Sequence, residues 1–550
     1  MKNEVTMIVY LLPYCFFALS AAGCQGSLGT GDGETDGEAD GDMGDGHGDG
    51  VDVDQDTDTD IDPDVEIPPG CGDGIVGEGE QCDPEYEASR ACTTTCGSGG
   101  TQRCSIICTW DDCEPPEEQC NGEDDDCDGE ADNGFDCAAG STEVCFEYCG
   151  RDVVRTCSET CSPGDCEVPT ITCNEFIVPY GEDPIPARNT MVFSSTIRQA
   201  DVYFLVDTTA SMQQEISALK GAIADPIIAG IHDIFPDPWF GAGHFEDYPI
   251  SPYGTPSYGD VSYENFQDLD PDPDGTVSAI VALEQAYGGD TPEAHVVALW
   301  TIATGDPFRT IPVQPDPSCD GGRFGYPCFR EGSLPVIVVI TDAEFHNGPG
   351  DANHYGEDVP APSYVQTVDA LVGAHVKIIG IHESSYAGDG HLRDLAFATG
   401  SVTIEGGPLV FNLAAGGGNI AEAVVSSVQT LAGQVPLEVT AAVRDDLEDE
   451  VDARMFVDRI EPNTTDGYED PLNPGVFCVP GLPVADTDGD TFDDTFTEVL
   501  PGTALCFNII PAQNDTVPSS PEPQRLRAFI EITGDGTTVL DIREIFFIVP

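Results

Sequence analysis

Three separated segments carry oxygen-bearing side chains of the kinds that hold a hard metal ion. The first, Asp207-Thr-Thr-Ala-Ser211, offers Asp207, Thr209 and Ser211 at alternate positions, and the other two contribute Glu293 and Asp342. Carboxylates and hydroxyls suit Mg²⁺, Mn²⁺ or Ca²⁺, whereas zinc and copper favour nitrogen or sulfur ligands. These five residues therefore predict one all-oxygen metal site.

Two of these segments follow short apolar runs, residues 203–206 and 336–340. Runs of this length bounded by chain-breaking residues are typical of buried parallel strands. Open α/β sheets bind ligands at the carboxyl ends of such strands, which is where the polar side chains stand. Together with another apolar run at 376–381, the pattern predicts a doubly wound α/β domain.

The motifs resemble the von Willebrand factor type A (VWA) domain, whose metal-ion-dependent adhesion site has the pattern Asp-x-Ser-x-Ser. The resemblance covers about residues 197–435 and is greatest to the inserted domain of integrin β-subunits, to which segments 240–253, 290–293 and 341–346 are similar. It implies a Rossmann-like fold with Mg²⁺ or Mn²⁺ held by the five residues above. It also implies a protein ligand that supplies an acidic residue.

Further metal ligands follow from the same resemblance. Integrins place two acidic residues after the first motif for an adjacent metal, and this chain has Gln214 and Glu215 there. Asp290 matches a ligand of the third integrin metal. Glu215 and Asp290 are therefore candidates for additional metal binding, and only the first metal is carried over in full.

Composition excludes some partners. The chain has 550 residues, enough for several domains, and a formal net charge of −82 from 19 basic and 101 acidic residues. Nucleic-acid binding needs a basic face, so we expect no nucleic-acid partner. The acidic balance also disfavours an anionic membrane surface and favours bound cations.

The start of the chain predicts export. Residues 1–23 have the short apolar stretch of a signal peptide and end before Cys24, in a small-residue run similar to a bacterial lipobox. Lipidation of Cys24 would anchor an outer-membrane lipoprotein at the cell surface or in the periplasm. The alternative is an ordinary signal peptide and a secreted protein. Residues 24–70, rich in Gly, Asp, Glu and Thr, predict a disordered acidic linker.

A cysteine-rich region is expected over residues 71–178. Sixteen of the 22 cysteines lie there, and an exported chain predicts disulfides. Six of them, from Cys92 to Cys120, have the spacing of six others, from Cys145 to Cys173, which predicts a duplicated module with equivalent pairings. The connectivity itself stays open, since six cysteines allow 15 pairings.

The remaining chain predicts a VWA domain over 179–435 and an all-β sandwich over 436–550, where short alternating apolar runs begin. Cys319 and Cys328 are expected to pair within the VWA domain, and Cys478 and Cys506 within the sandwich.

Two acidic loops are candidate Ca²⁺ sites. The segment around Cys120 and Cys127 is similar to a bacterial surface-protein motif regarded as metal-binding, and its carboxylates are Asp124, Asp126, Asp128 and Asp132. The second loop is similar to calcium loops of thrombospondin type 3 repeats and carries Asp486, Asp488, Asp490 and Asp494. The alternative for each is an acidic loop without an ion.

No catalytic residue is assigned. The nine histidines lack metalloprotease spacing, and no Gly-x-Ser-x-Gly motif occurs. We expect that the protein is not an enzyme. A hydrolase that uses Asp207, Glu293 and Asp342 is the last of three hypotheses. The leading hypothesis is cell adhesion, by divalent-cation-dependent binding of a protein at the cell surface. The alternative is a surface protein that stores or senses calcium or another divalent cation.

Overall fold

The computed structural model describes residues 67–168, 173–383, 388–448, 450–465, 467–470 and 472–550. The expected signal peptide, Cys24 and nearly all of the acidic linker lie outside these residues. The chain divides into two compact units: one up to Ser89 with Arg103–Asp111, the other of Arg90–Gln102 with Asp112–Pro550. Within the described residues, no helix is long and apolar enough to cross a membrane.

The cysteine-rich region contains two hairpins, β1 (Ser89–Thr93) with β2 (Gly99–Arg103) and β3 (Thr142–Tyr148) with β4 (Arg151–Thr156). The apolar cluster beside the second hairpin is small, with Phe146, Tyr148 and Val153 among its few buried side chains. Such a region depends on covalent cross-links for its stability.

Each hairpin lies in a cysteine unit, a set of eight disulfide-bonded cysteines that is distinct from the two compact units named above. In both cysteine units the first cysteine bonds to the sixth, the second to the fifth, the third to the seventh and the fourth to the eighth. The first unit contains Cys71–Cys108, Cys82–Cys104, Cys92–Cys113 and Cys96–Cys127, and the second contains Cys120–Cys161, Cys137–Cys157, Cys145–Cys166 and Cys149–Cys173. The duplication is confirmed, and Cys92 and Cys145 have corresponding partners.

The boundaries of the repeat differ from those expected. The six-cysteine match made Cys120 the counterpart of Cys173, but Cys120 opens the second unit by bonding to Cys161. Cys173 closes that unit, and its counterpart in the first unit is Cys127. The two units therefore overlap in sequence. Cys120 and Cys173 have the same sequence separation as the corresponding cysteines of the two units, but they do not correspond to each other.

Two short strands, β5 (Glu175–Ile177) and β6 (Asn189–Ser194), precede the α/β domain. That domain then runs through β7 (Gln199–Asp207), α1 (Gln213–Ala222), α2 (Ala229–Ile234), β8 (Asp237–Phe245), β9 (Glu264–Asp270), α3 (Asp274–Ala282), α4 (His295–Thr304), β10 (Leu334–Thr341), α5 (Tyr364–Gly373), β11 (Lys377–Glu383), α6 (Asp389–Ala398), β12 (Val410–Leu413) and α7 (Ile420–Gln434). The sheet order is β12-β11-β10-β7-β8-β9, and only β9 is antiparallel to its neighbour.

Helices cover both faces of this sheet. Val202, Phe204 and Val206 of β7 pack in one apolar cluster with α1, α2, α3 and α7, whereas Tyr203 and Leu205 pack in another with α4, α5 and α6. Alternation along a strand sends successive side chains to opposite faces, so a central strand needs both layers to be buried. The doubly wound α/β architecture is as expected, and the carboxyl ends of β7 and β10 meet at one edge.

The C-terminal strands are β13 (Leu437–Asp445), β14 (Val457–Pro462), β15 (Val484–Ala485), β16 (Thr495–Val499), β17 (Ala504–Pro511), β18 (Gln524–Gly534) and β19 (Thr538–Val549). They form two sheets, in the orders β15-β16-β13-β18-β19-β5 and β14-β17-β6. The two expected local disulfides, Cys319–Cys328 and Cys478–Cys506, are both formed.

The sandwich therefore differs from its expected boundaries. β5 pairs with β19 and β6 with β17, so strands on both sides of the α/β domain build it. The boundary expected at residue 179 is wrong, because residues 189–194 belong to the sandwich and the α/β domain is inserted into it. Pairings between strands more than 300 residues apart leave no local trace in the sequence.

Candidate metal centre

Asp207 ends β7 and is held on both carboxylate oxygens. Oδ1 accepts hydrogen bonds from the backbone N of Thr209 at 2.9 Å and from its hydroxyl at 2.7 Å, and Oδ2 accepts from the Thr341 hydroxyl at 2.7 Å. Asp207 is fully buried. The parallel pairing of β7 with β10, in which Val206 lies opposite Ile340, places Thr341 beside it. Asp207 is thus fixed in one orientation at the sheet edge.

Ser211 and Asp342 continue the same cluster. The Ser211 hydroxyl donates to Asp342 Oδ1 at 3.0 Å and lies 3.3 Å from the Thr209 hydroxyl. Ser211 belongs to a short 3₁₀ turn, Ala210–Met212, between β7 and α1. Ser211 is exposed while Asp342 is buried, so the cluster reaches from the domain interior to the surface.

Glu293 approaches from the segment before α4. Its backbone N donates to Glu344 O, and its carbonyl accepts from His346 N, both at 2.9 Å. A Cβ placed on Gly288 would lie 2.9 Å from Glu293 Oε1 and 3.2 Å from Thr209 Cγ2, so the two side chains face the same small space. Glu293 Oε2 is buried and has no hydrogen-bond partner among the described residues.

The carboxylates of this cluster oppose one another's ionisation. Burial, followed by the charge of Asp342, raises the pKa of Asp207 to about 7. Burial raises the pKa of Asp342 to about 6, with Glu215 and Glu383 adding to the effect. Burial and then Asp207 raise the pKa of Glu293 well above its usual value. A bound cation would reverse each of these effects by stabilising the charged forms.

Four of the five predicted residues contact one another and Glu293 faces the same space, but Asp207, Glu293 and Asp342 are not among the described groups whose ligand atoms all lie within 4.8 Å of one another. The donor set, which is all oxygen, fits Mg²⁺ or Mn²⁺. The four that form one chain of contacts are Asp207, Thr209, Ser211 and Asp342, and Glu293 faces Thr209 across Gly288. All potential ligand atoms are oxygen, and one buried oxygen of Glu293 has no hydrogen-bond partner in the described part of the chain. Such atoms suit a hard cation.

Glu215 and Asp290, the two candidates for additional metal binding, lie beside different residues. Glu215 is buried and close enough to Asp342 to raise its pKa. Asp290 belongs to a group with Asp247 and His346, in which one atom of each residue lies within 4.8 Å of the others. The His346 Nε2 is 3.2 Å from Asp247 Oδ2 and 3.3 Å from Asp290 Oδ1.

Sequence reasoning did not assign four residues that shape the site: Thr341, Asp247, Glu383 and His295. Thr341 could have been found, since it directly precedes Asp342 at the end of an apolar run. Asp247, which accepts from the Tyr355 hydroxyl, lies in a segment that the integrin resemblance already covered. Glu383 ends β11, and His295 opens α4; neither stands in a motif.

The first acidic loop is arranged differently from the expectation. The residues that come together are Glu118, Asp124 and Asp126. Asp132 instead accepts backbone N–H groups of Asn121 at 2.8 Å and Ala139 at 2.6 Å, so it caps its own loop. Asp128 accepts from Glu130 N at 2.9 Å. The predicted set of four therefore separates, because loop backbone groups take up two of its carboxylates.

The second acidic loop gathers three of its four candidates, Asp486, Asp488 and Asp494. Asp490 is outside this group and accepts from Phe492 N at 2.8 Å. Burial opposes ionisation of Asp494, but hydrogen bonds from the Thr495 and Thr487 hydroxyls, and then from the Thr487 and Asp488 backbone N–H groups, lower its pKa. Backbone hydrogen bonds account for this loop's conformation.

No protein-family model matches the chain, and no curated protein matches it. Among solved structures, the chain is similar to a von Willebrand factor type A protein from Catenulispora acidiphila, with a TM-score of 0.31 and 10% identity over 67% of this chain and 74% of that one. It is also similar to proximal thread matrix protein 1 from the mussel byssus, with a TM-score of 0.27 and 13% identity over 45% of this chain and 50% of that one. Neither likeness bears on function.

Proposed function

We propose that residues 199–435 form a VWA domain that binds Mg²⁺ or Mn²⁺ through Asp207, Thr209, Ser211, Glu293 and Asp342. Glu293 carries this proposal. Its Oε2 is buried without a hydrogen-bond partner among the described residues, and the charges that raise its pKa most belong to other carboxylates. Burying an unpaired anion costs several kcal/mol. A cation at this position offsets that cost for Glu293 and the mutual repulsion of Glu293, Asp207 and Asp342.

We further propose that the site binds a protein ligand through the ion. Ser211 is exposed at the outer end of the cluster, while Asp207 and Glu293 lie behind it. Bound there, the ion supplies positive charge and an open coordination position for an acidic side chain of the partner. Hydroxyl ligands add no charge of their own, so the ion keeps its attraction for that carboxylate.

The acidic surface opposes an acidic ligand but does not prevent binding. The chain carries a formal charge of −82, and an acidic partner approaches against that field. Salt screens charges beyond roughly 8 Å at physiological ionic strength. Contact with the ion is short-range and unscreened, so it decides the final step of binding.

The proposal places the protein outside the cytoplasm. Ten disulfides join all cysteines from Cys71 onward, and disulfides persist in oxidising compartments. With lipidation of Cys24, the linker and the disulfide-rich units would act as a spacer that presents the site from the outer membrane.

A second candidate function is storage or sensing of calcium by the acidic loops. It is favoured by the two carboxylate groups, one at Glu118, Asp124 and Asp126 and the other at Asp486, Asp488 and Asp494. In that case the loops, and not Asp207, would set the response to divalent cations.

Binding of extracellular proteins to the immobilised full-length protein distinguishes ligand binding through the ion at Asp207 from a calcium function of the acidic loops. We expect binding in Mg²⁺ that disappears in EDTA and in Asp207→Ala, and that persists in the control Asp233→Ala, which removes an exposed carboxylate of α2. Binding lost in EDTA but retained by Asp207→Ala would favour the acidic loops. Binding retained in both would refute a contact through any ion.

A further inference from the structure

His295, the first residue of α4, is a fully buried histidine without a role in the ligand set. Its ring stacks on Phe345 at 4.1 Å between centroids and meets the edge of Phe245 at 4.5 Å. An apolar side chain would fill such a wedge without the cost of burying two ring nitrogens. The polar contacts of the ring therefore call for an explanation.

The direction of the hydrogen bonds around Thr341 explains why a polar ring occupies this position. The Thr341 hydroxyl has one proton, and Asp207, as a carboxylate, can only accept, so Thr341 donates to Asp207 Oδ2. The hydroxyl oxygen then accepts from Ala343 N at 3.1 Å and from His295 Nε2 at 2.9 Å. The chain of donors runs from His295 through Thr341 to Asp207.

The other ring nitrogen faces the second ligand segment. His295 Nδ1 lies 3.3 Å from the carbonyl oxygen of Glu293, and the backbone N of His295 donates to the same oxygen at 3.0 Å. A neutral imidazole carries one ring proton, and the contact with Thr341 places it on Nε2. Nδ1 then donates no hydrogen bond, so His295 is tied to the segment that carries Glu293 by its backbone N–H. Outer partners of this kind orient metal ligands and strengthen their interaction with the metal.

We propose that His295 is a positioning residue of the metal site: through Thr341 it fixes the Asp207 carboxylate in the orientation that binds the ion. The inference rests on the proposed function and extends it to a side chain that touches neither the ion nor the partner. Loss of the Nε2 donor leaves Ala343 N as the remaining donor to the Thr341 hydroxyl, so the contact of that hydroxyl with Asp207 Oδ2 loosens while Thr209 still holds Oδ1. Metal affinity falls as a result, while the packing of the wedge persists.

The test compares three forms of the full-length protein by Mn²⁺ calorimetry, with the heats of Asp207→Ala subtracted to remove binding by the acidic loops. His295→Leu keeps apolar volume without a donor, and His295→Gln places an amide N–H near Nε2. We expect His295→Leu to weaken Mn²⁺ binding about 10- to 100-fold and His295→Gln to restore most of the affinity. Melting temperatures in EDTA should be equal or higher for His295→Leu.

Other results of this calorimetry would contradict either the positioning role of His295 or the proposed metal site. Equal Mn²⁺ affinity of wild type and His295→Leu, or equal losses in the Leu and Gln variants, would overturn the positioning role while leaving the metal site intact. Absence of Mn²⁺ binding above the Asp207→Ala background in the wild type would instead refute the proposed function. If His295→Leu does not fold, Thr341→Val tests the same chain, since it removes the hydroxyl and keeps the side-chain shape; unchanged affinity there overturns the proposal.

Discussion

The hydroxyl of Thr341 donates to Asp207 Oδ2 at 2.7 Å, across neighbouring parallel strands and a sequence separation of 134 residues. This contact depends on the register of β7 and β10, in which Val206 lies opposite Ile340. A shift by one residue would send every side chain to the other face of the sheet. The buried core of the sheet therefore sets the geometry of the proposed metal site.

A buried ion pair holds the opposite end of the same strands. Arg330 donates from Nε to Asp201 Oδ1 at 2.8 Å, and Asp201 is fully buried. Arg330→Met would leave that carboxylate without its charged partner, with only the backbone N of residue 330 and the Ser333 hydroxyl to bond it, so we expect a loss of about 3–5 kcal/mol in the free energy of unfolding. Urea denaturation of the full-length protein measures it.

The matched control is Arg454→Met. Arg454 pairs with Asp452 at 2.7 Å, but both side chains are roughly half exposed, at 57% and 44%. Exposed pairs contribute less than about 1 kcal/mol. Similar losses for Arg330→Met and Arg454→Met would contradict a stabilising role of the buried pair.

His244 gives the α/β domain a pH dependence. Its Nδ1 lies 3.2 Å from Glu246 Oε1, and its Nε2 lies 3.4 Å from Glu264 Oε2. Burial lowers the pKa of His244, but the hydrogen bonds of Glu246 and Glu264 outweigh it and raise the pKa to about 9. The ordinary value in an unfolded chain is about 6.5.

Because the folded pKa is the higher one, the stabilisation is complete below about pH 6.5 and is lost as pH rises through about 9. The shift corresponds to stabilisation on the order of 3 kcal/mol. We expect the difference in melting temperature between wild type and His244→Gln to shrink between pH 7 and pH 10. The exposed His354→Gln serves as control and should show no such trend. A pH-independent difference for His244→Gln would mean that the histidine is not charged in the fold.

The disulfide order of the two units can be read by mass spectrometry of non-reduced peptides. We expect Cys120 joined to Cys161 and Cys96 joined to Cys127, because the units overlap in sequence. A peptide that joins Cys120 to a cysteine between Cys71 and Cys113 would contradict the overlap.

The lipid anchor is tested at Cys24. The Ala21-Ala22-Gly23-Cys24 ending of the signal segment predicts acylation of that cysteine. Cys24→Ser should stop incorporation of labelled palmitate and release the protein from membranes. Palmitate labelling that survives the substitution would contradict acylation at Cys24, and a wild type that takes up no label would favour the ordinary signal peptide.

The α/β fold and the meeting of Asp207 with Asp342 at one sheet edge could be predicted from the sequence because they depend on local patterns. Short apolar runs ending in Asp207 and Asp342 predict strand ends, and strand ends of a parallel sheet share an edge. The same reasoning predicted the pairs Cys319–Cys328 and Cys478–Cys506, which are close in sequence. In these cases a short segment contains both the structural signal and the chemical groups.

Features that depend on distant contacts were not predicted. The strand that ends at Ser194 joins the sandwich by pairing with residues 504–509, and nothing near it in sequence shows this. Asp132 was a candidate Ca²⁺ ligand, with an ion-free loop as the alternative, and backbone N–H groups 7 to 11 residues away occupy its oxygens. His295 stands in no motif, and the role proposed for it follows from the hydrogen-bond directions around Thr341.

The central claim is that Asp207, Thr209, Ser211, Glu293 and Asp342 bind one divalent cation. Mg²⁺ calorimetry of the full-length wild type, Asp207→Ala and the exposed control Asp233→Ala tests it most directly. We expect Asp207→Ala to lose one Mg²⁺ per chain while it keeps the wild-type circular dichroism spectrum, and Asp233→Ala to bind as the wild type does. Equal stoichiometry and affinity in wild type and Asp207→Ala would contradict the metal site and the adhesive function built on it.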